Sequence, residues 1–119
     1  MEQRDDRRRW PRLPLRLRVD FSPAGKEYLQ GIGTTDNVSA GGMHFHTRDW
    51  QLVQEGRSLL ITASGMGYSN HVALSRALNA RATVVRLELP TSRDPLQAKA
   101  GVAVRFDERP RVESAGLSA

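Results

Sequence analysis

Apolar and polar side chains alternate along much of the chain, and the clearest alternation begins at Leu13. Leucine, valine or phenylalanine occupies every second position from Leu13 to Phe21, and proline, arginine or aspartate lies between them. A period of two is typical of a strand that buries one face. The pattern therefore predicts a first strand over residues 13–21.

Similar but shorter patterns predict five more strands. They cover residues 27–35, 43–46, 58–63, 80–89 and 100–107. In the fifth strand we expect Val85, Leu87 and Leu89 to share one face, and in the sixth the valines and Phe106 point to one side. Between the second and third strands, residues 37–42 have the composition of a polar turn.

Two segments fit the strand pattern less well. Residues 48–54 suit either a single helical turn or a loop. For residues 64–79 the sequence favours a short amphipathic helix over an irregular strand, because apolar residues lie at positions 72–74, 77 and 78.

Six short strands separated by turns predict an all-β domain, either an antiparallel barrel or a sandwich. A length of 119 residues fits one domain. We assign residues 13–107 to this domain, residues 1–12 to a flexible arginine-rich arm, and residues 108–119 to a disordered C-terminal tail.

The net charge of +5 is concentrated at one end of the chain. Of 18 basic residues only Lys26 and Lys99 are lysine. The first eighteen residues contain seven arginines: Arg4, Arg7, Arg8, Arg9, Arg12, Arg16 and Arg18. Such a field attracts anions, so phosphate-bearing partners become the leading class.

Other classes of function are disfavoured by composition. The chain has no cysteine, which excludes disulfides, thiolate metal sites and a cysteine nucleophile. No apolar run approaches the roughly 20 residues of a membrane span, and the segment from Glu2 to Arg9 is charged. We therefore expect a cytoplasmic protein without a membrane span.

Two short motifs carry the candidate chemistry. Arg8 and Arg12 are four positions apart ahead of the first strand, and Asn37-x-Ser39-x-x-Gly42 lies in the predicted turn. Arginine forks suit phosphate oxygens and the acceptor edge of guanine, while the turn offers an amide, a hydroxyl and backbone room. The two motifs together predict a receptor for a guanine nucleotide with more than one phosphate.

In this arrangement the chain resembles the PilZ domain family, whose motifs are R-x-x-x-R and D/N-x-S-x-x-G on a small antiparallel barrel. The resemblance covers residues 7–107 and implies a six- to seven-stranded antiparallel barrel. It also implies binding of cyclic di-GMP, a bacterial second messenger, with no other cofactor. Arg8 and Arg12 would contact its phosphates and guanine edges, and Asn37 and Ser39 would meet a guanine.

Further residues enter the predicted site beside these. Gly41 and Gly42 would let the ligand approach the backbone. Arg7 and Arg9 are extra arginines of the kind that the family associates with an intercalated ligand dimer. The resemblance further implies a conformational change on binding and an unknown protein effector, with outputs in motility, adhesion or exopolysaccharide production.

Metal binding and catalysis are not predicted. His44 and His46 lie on one side of a strand, but the sequence shows no well-spaced third ligand, so we interpret them as surface histidines. The serines and His71 lack a recognisable nucleophile motif. We therefore expect no catalytic residues and no enzyme.

Two alternatives remain open. A nucleic-acid-binding barrel would use the basic arm, but single-strand binders need a platform of exposed aromatic residues, and those of this chain are scattered. A PilZ-like barrel could also act only as a protein adaptor without a ligand, which the intact motifs disfavour.

Overall fold

The structure of the protein is a computed structural model, and its described residues form seven antiparallel strands and one short 3-10 helix. It describes residues 16–69, 72–91, 93–94, 96 and 98–116, with only the backbone for 66–69, 72–76 and 112–116. The strands are β1 (Arg18–Pro23), β2 (Gly31–Val38), β3 (Gly42–Thr47), β4 (Ser58–Ser69), β5 (Val72–Glu88), β6 (Ala100–Phe106) and β7 (Arg111–Gly116), and the helix is Trp50–Leu52.

Six of the strands close into a barrel in the order β4-β1-β2-β3-β6-β5, and pairing of β5 with β4 completes the ring. Every pairing is antiparallel. Closure leaves no unpaired edge within the ring. An open edge would expose unpaired backbone groups to pairing with other chains. The predicted all-β antiparallel barrel is confirmed.

Alternation along the strands fills the barrel interior. Val19 and Phe21 of β1 are buried, and Phe21 packs against Phe45 of β3 with ring centroids 5.3 Å apart. The remaining core comes from the inward positions of the other strands and one loop: Val38, Met43, Val53, Leu59, Ile61, Ala63, Ala82, Val84, Val102, Val104 and Phe106. The predicted inward face of the last barrel strand is thus confirmed.

The helix predicted within residues 64–79 is wrong. β4 and β5 form one long hairpin that pairs from Ser58↔Thr83 to Ser69↔Val72. Alternate residues along this ladder exchange backbone hydrogen bonds with the neighbouring strand, and that pairing outweighs the helical spacing of the apolar residues. The helical turn allowed for residues 48–54 is present at Trp50–Leu52.

The C-terminal segment also differs from the prediction of a disordered tail over 108–119. Arg111–Gly116 forms β7, which pairs with residues Leu74–Asn79 of β5. The other half of β5 pairs with β6, from Ala82 onward. β5, which has 17 residues, therefore pairs with β7 along one half and with β6 along the other. The sequence of β7 alone does not reveal this partner.

Two β-bulges shift the faces that the alternation predicted. In β5 the register slips between Val84 and Arg86, so Val84 is 1% exposed and Val85 is 50% exposed. The prediction that Val85, Leu87 and Leu89 share one face is wrong, since Leu87 packs against the core whereas Val85 and Leu89 are exposed. β2 runs to Val38 rather than ending at Thr35, with its own slip between Thr35 and Asn37.

Among the residues that the structure describes, none belongs to a helix long and apolar enough to cross a membrane.

Candidate functional site

The turn between β2 and β3 is fixed by hydrogen bonds at both of its ends. The Ser39 amide donates to the Gly42 carbonyl at 2.9 Å, and the Gly41 amide lies 3.3 Å from the Ser39 hydroxyl oxygen. On the far side, the Phe106 amide of β6 donates to the Gly41 carbonyl at 2.9 Å. The turn is therefore attached to a third strand as well as to its own two.

The two glycines of the turn have different surroundings. A Cβ at Gly42 would lie 2.2 Å from the Val104 carbonyl oxygen, so β3 and β6 approach each other too closely for any side chain. A Cβ at Gly41 would meet nothing within 4 Å. Gly42 is thus explained by strand packing, and only Gly41 leaves open space beside the backbone.

The bulge in β2 brings two consecutive polar side chains outward. Thr35 pairs with Phe45 and Asn37 pairs with His44, which leaves Asp36 as the extra, unpaired position. Asp36 is exposed and Asn37 half-buried, although alternation alone would bury one of them. Asn37 therefore lies at the end of a strand, and not within the turn as predicted.

Asp36 meets both histidines of β3 on this outer face. Its Oδ2 lies 2.7 Å from His44 Nδ1 and 2.5 Å from His46 Nδ1. The two imidazoles stand edge to face with ring centroids 5.2 Å apart. The sequence shows no well-spaced third ligand beside the histidines. In the structure Asp36 lies on the exposed face of β2, and the register of β2 against β3 brings its carboxylate to both imidazoles.

Glu88 of β5 approaches the same cluster from the other side. Its Oε1 lies 4.0 Å from His44 Nε2, and its Oε2 accepts a hydrogen bond of 2.5 Å from Arg86. Arg86 lowers the pKa of Glu88 through this hydrogen bond and its charge; His44 and His46 act weakly in the same direction, and desolvation opposes them.

β6 lies between β5 and β3, but its residue there is Gly101, opposite both His46 and Glu88. A Cβ at Gly101 would lie 3.0 Å from Glu88 Oε1 and 3.3 Å from His44 Nε2. The glycine therefore leaves the space in which the two side chains approach each other.

A cation that the sequence interpretation did not single out lies beside the turn. Arg105 of β6 pairs with Gly42 and is exposed on the same outer face. A groove of about 340 Å³ follows this face beyond His46 and is lined partly by Thr34, Arg48 and Lys99. No sequence motif marks Arg105, because only the register of β3 against β6 places it next to Gly42.

A larger groove of about 440 Å³ lies over β1, β4 and β5, with Arg81, Arg109 and Arg111 in its lining. It contains none of Asn37, Ser39, Gly41 or Gly42. Size alone would favour this groove, but it lacks the predicted amide, hydroxyl and open backbone.

Leu17, which precedes β1, is hydrogen-bonded to the buried Thr35 of β2. The Leu17 amide donates to Thr35 Oγ1 at 2.8 Å, and the Thr35 amide donates to the Leu17 carbonyl at 2.9 Å. Thr35 is two positions from Asn37 on β2. The arm itself, residues 1–12 with Arg7, Arg8, Arg9 and Arg12, lies outside the described residues.

A comparison with protein-family models matches the PilZ domain over residues 6–117, nearly the whole chain. The chain belongs to the PilZ family. This membership confirms the resemblance inferred from the two motifs. No curated protein sequence matches the chain.

Solved structures similar to this PilZ domain include two bacterial proteins. The inhibitor of motility MotI/DgrA of Bacillus subtilis has 24% identity and a TM-score of 0.62, over 92% of this chain and 49% of its own. The PilZ domain of YcgR from Escherichia coli, solved with c-di-GMP, has 14% identity and a TM-score of 0.60, over 86% and 79%. This chain thus spans about half the length of MotI/DgrA, and at these identities the likeness establishes the fold alone.

Proposed function

We propose that this PilZ domain is a cytoplasmic receptor for cyclic di-GMP and not an enzyme. Arg8 and Arg12 contact the phosphates and the guanine edges, and Asn37 and Ser39 meet a guanine. The observation that carries the proposal is the pair of family motifs, of which Asn37 lies at the end of β2 and Ser39 lies in the turn that is hydrogen-bonded to β6.

The position of Leu17 supports a single site to which both motifs contribute. Leu17 is bound to Thr35, and Arg12 lies five positions earlier in the chain. A chain segment of that length spans at most about 18 Å when extended. Arg12 can therefore reach the end of β2, and Arg8 lies one short segment further out.

The chemistry of the turn suits a nucleotide with two phosphodiester anions. Asn37 carries an amide, whose carbonyl can accept from guanine N1–H or N2–H without adding negative charge. Gly41 leaves open space for the ligand, and Arg105 adds an exposed cation beside Gly42. A bidentate contact of arginine with phosphate contributes about 1.5–3 kcal/mol.

Ligand binding would draw residues 1–12 onto the outer face and so change the surface that a partner meets. The free-energy cost of ordering the arm reduces the affinity for the ligand. The ordered arm, however, forms a new surface that a partner can recognise. We propose a protein effector as the reader of that surface, with an output in motility, adhesion or exopolysaccharide production.

Calorimetric titration of the purified protein with cyclic di-GMP tests the proposal. We expect saturable binding that Arg8→Ala and Arg12→Ala each weaken about 10- to 100-fold, the loss of one charge-assisted contact. Arg4→Ala is the matched control, because it removes one charge from the same segment outside the motif. Its effect should stay within about threefold, since it changes only the general field.

Two outcomes would contradict the receptor. Absence of heat with cyclic di-GMP would leave the barrel as a protein adaptor. The nucleic-acid alternative would be favoured if Arg4→Ala and Arg8→Ala weakened cyclic di-GMP binding equally. In that case a single-stranded oligonucleotide would bind as well, with a steep salt dependence. GTP serves as the control for general phosphate binding.

The same titration measures stoichiometry. Because Arg7 and Arg9 accompany the motif arginines, we propose that an intercalated dimer of cyclic di-GMP binds, giving two ligands per chain. Arg9→Ala should then reduce the stoichiometry toward one, and a wild-type value of one would exclude the dimer.

A further inference from the structure

We infer that Asp36, His44 and His46 form a site for a divalent transition-metal ion such as Zn²⁺ on the outer face of the barrel. The three residues offer one carboxylate oxygen and two imidazole nitrogens within 4.8 Å of one another. Two histidines and one carboxylate are a common donor set for Zn²⁺, with a fourth position left for water. The site adjoins the proposed nucleotide contact at Asn37, which is the strand partner of His44, but it uses different side chains.

The register of β2 against β3 brings these donors together. His44 and His46 are two positions apart on β3 and point to one side, and the β2 bulge places Asp36 between their partners. In the present arrangement the Asp36 oxygen is 2.7 Å and 2.5 Å from the two Nδ1 atoms. Tetrahedral zinc at its usual bond lengths needs donor separations of about 3.3 Å. A small rotation of side chains that are 29–44% exposed provides this.

Glu88 completes the site as a positioning residue. If His44 binds the metal through Nδ1, its Nε2–H faces Glu88 Oε1, now 4.0 Å away. A carboxylate in that place orients the ring and raises its basicity, as is usual for histidine ligands. Gly101 leaves the gap that the contact needs. Three strands therefore contribute side chains to the site, and a fourth contributes space.

Titration of the untagged, chelator-treated protein with ZnCl₂ in nucleotide-free buffer tests the inference. We expect one ion per chain, with at least a 10-fold loss of affinity in Asp36→Asn and in His46→Ala. His71→Ala, which keeps every residue of the site, is the control and should bind as the wild type does. Circular dichroism verifies that each variant is folded, and Asp36→Asn, which keeps the side-chain shape, tests the site should a histidine variant not fold.

Substitution of Co²⁺ for Zn²⁺ provides a second readout. We expect visible absorption typical of four-coordinate Co²⁺, lost in His46→Ala. Glu88→Gln should keep that spectrum and lower the affinity about 10-fold, because it acts through His44. Weak binding of Zn²⁺ that is equal in wild type, Asp36→Asn and His46→Ala would overturn the site, as would no binding. Neither result depends on whether cyclic di-GMP binds.

Discussion

The two faces of β3 show how differently one strand can be used. Met43, Phe45 and Thr47 point inward and are at most 4% exposed, whereas His44 and His46 point outward into a polar cluster. The inner face is specified by alternation within the strand itself. The surroundings of the outward histidines are supplied by β2, β5 and β6, so the chemistry of this face depends on the assembled barrel.

The largest expected effect is on the inner face. Phe45→Ala removes a fully buried ring that packs against Phe21, and it should lower the free energy of unfolding by about 3–5 kcal/mol. His46→Ala, one position away on the outer face, should change it by less than about 1 kcal/mol. Urea unfolding of both variants measures the contrast, and equal losses would show that the two faces are not energetically distinct.

A second pair sharpens the comparison at the bulge of β5. Val84→Ala should cost about 2 kcal/mol, because the side chain is 1% exposed and loses its core contacts. Val85→Ala should cost less than about 0.5 kcal/mol, since that side chain is 50% exposed. Thermal or urea unfolding compares the two. The reverse order would mean that the register of β5 against β6 is wrong.

Gly42 tests whether an outward position can still determine stability. Gly42→Ala would place a Cβ 2.2 Å from the Val104 carbonyl oxygen, and the shift of β3 against β6 should cost about 1–3 kcal/mol. Gly41→Ala meets open space and is the control, with a change of less than about 0.5 kcal/mol. Denaturation midpoints of the two variants provide the measurement. A neutral Gly42→Ala would contradict the close strand approach.

The smallest effect is electrostatic and lies fully on the outer face. The pKa of Glu88 is lowered mainly by Arg86, with His44 and His46 contributing, so its charged form favours the folded state. This contribution is present above the ordinary glutamate pKa and is lost as the pH falls through the lowered value. Glu88→Gln should therefore lower stability slightly at pH 7 and not at pH 3, which unfolding at both pH values measures. A larger difference at pH 3 would contradict the sign.

The sequence predicted those parts of the fold in which each strand carries its own pattern. Val19 and Phe21, the centre of β3, and the inward valines of β6 follow simple alternation and were placed correctly. The long hairpin of β4 and β5 was not predicted, because pairing between the two strands, and not a local pattern, determines the structure of that segment. β7 was missed for the same reason, since its partner is a distant part of β5.

The candidate site divides in the same way. The motif over residues 37–42 predicted a turn, and in the structure the turn is shorter, because β2 ends at Val38 and β3 begins at Gly42. Asp36 was not paired with the histidines from the sequence, because the register of β2 against β3, and not alternation within β2, brings its exposed side chain to them. The register of β6 against β3 and of β5 against β6 places Arg105 and Glu88 on this face. No local sequence pattern indicates that register.

The hydrogen bond from Phe106 to the turn at Gly41 has a consequence for the order of folding. It joins an early strand connection to a strand near the end of the chain, and contacts between such distant segments close slowly. During synthesis β2 and β3 leave the ribosome long before β6 does. The nascent chain therefore carries the turn well before it can hold the turn in its final form, and the turn is fixed only after β6 has been synthesised.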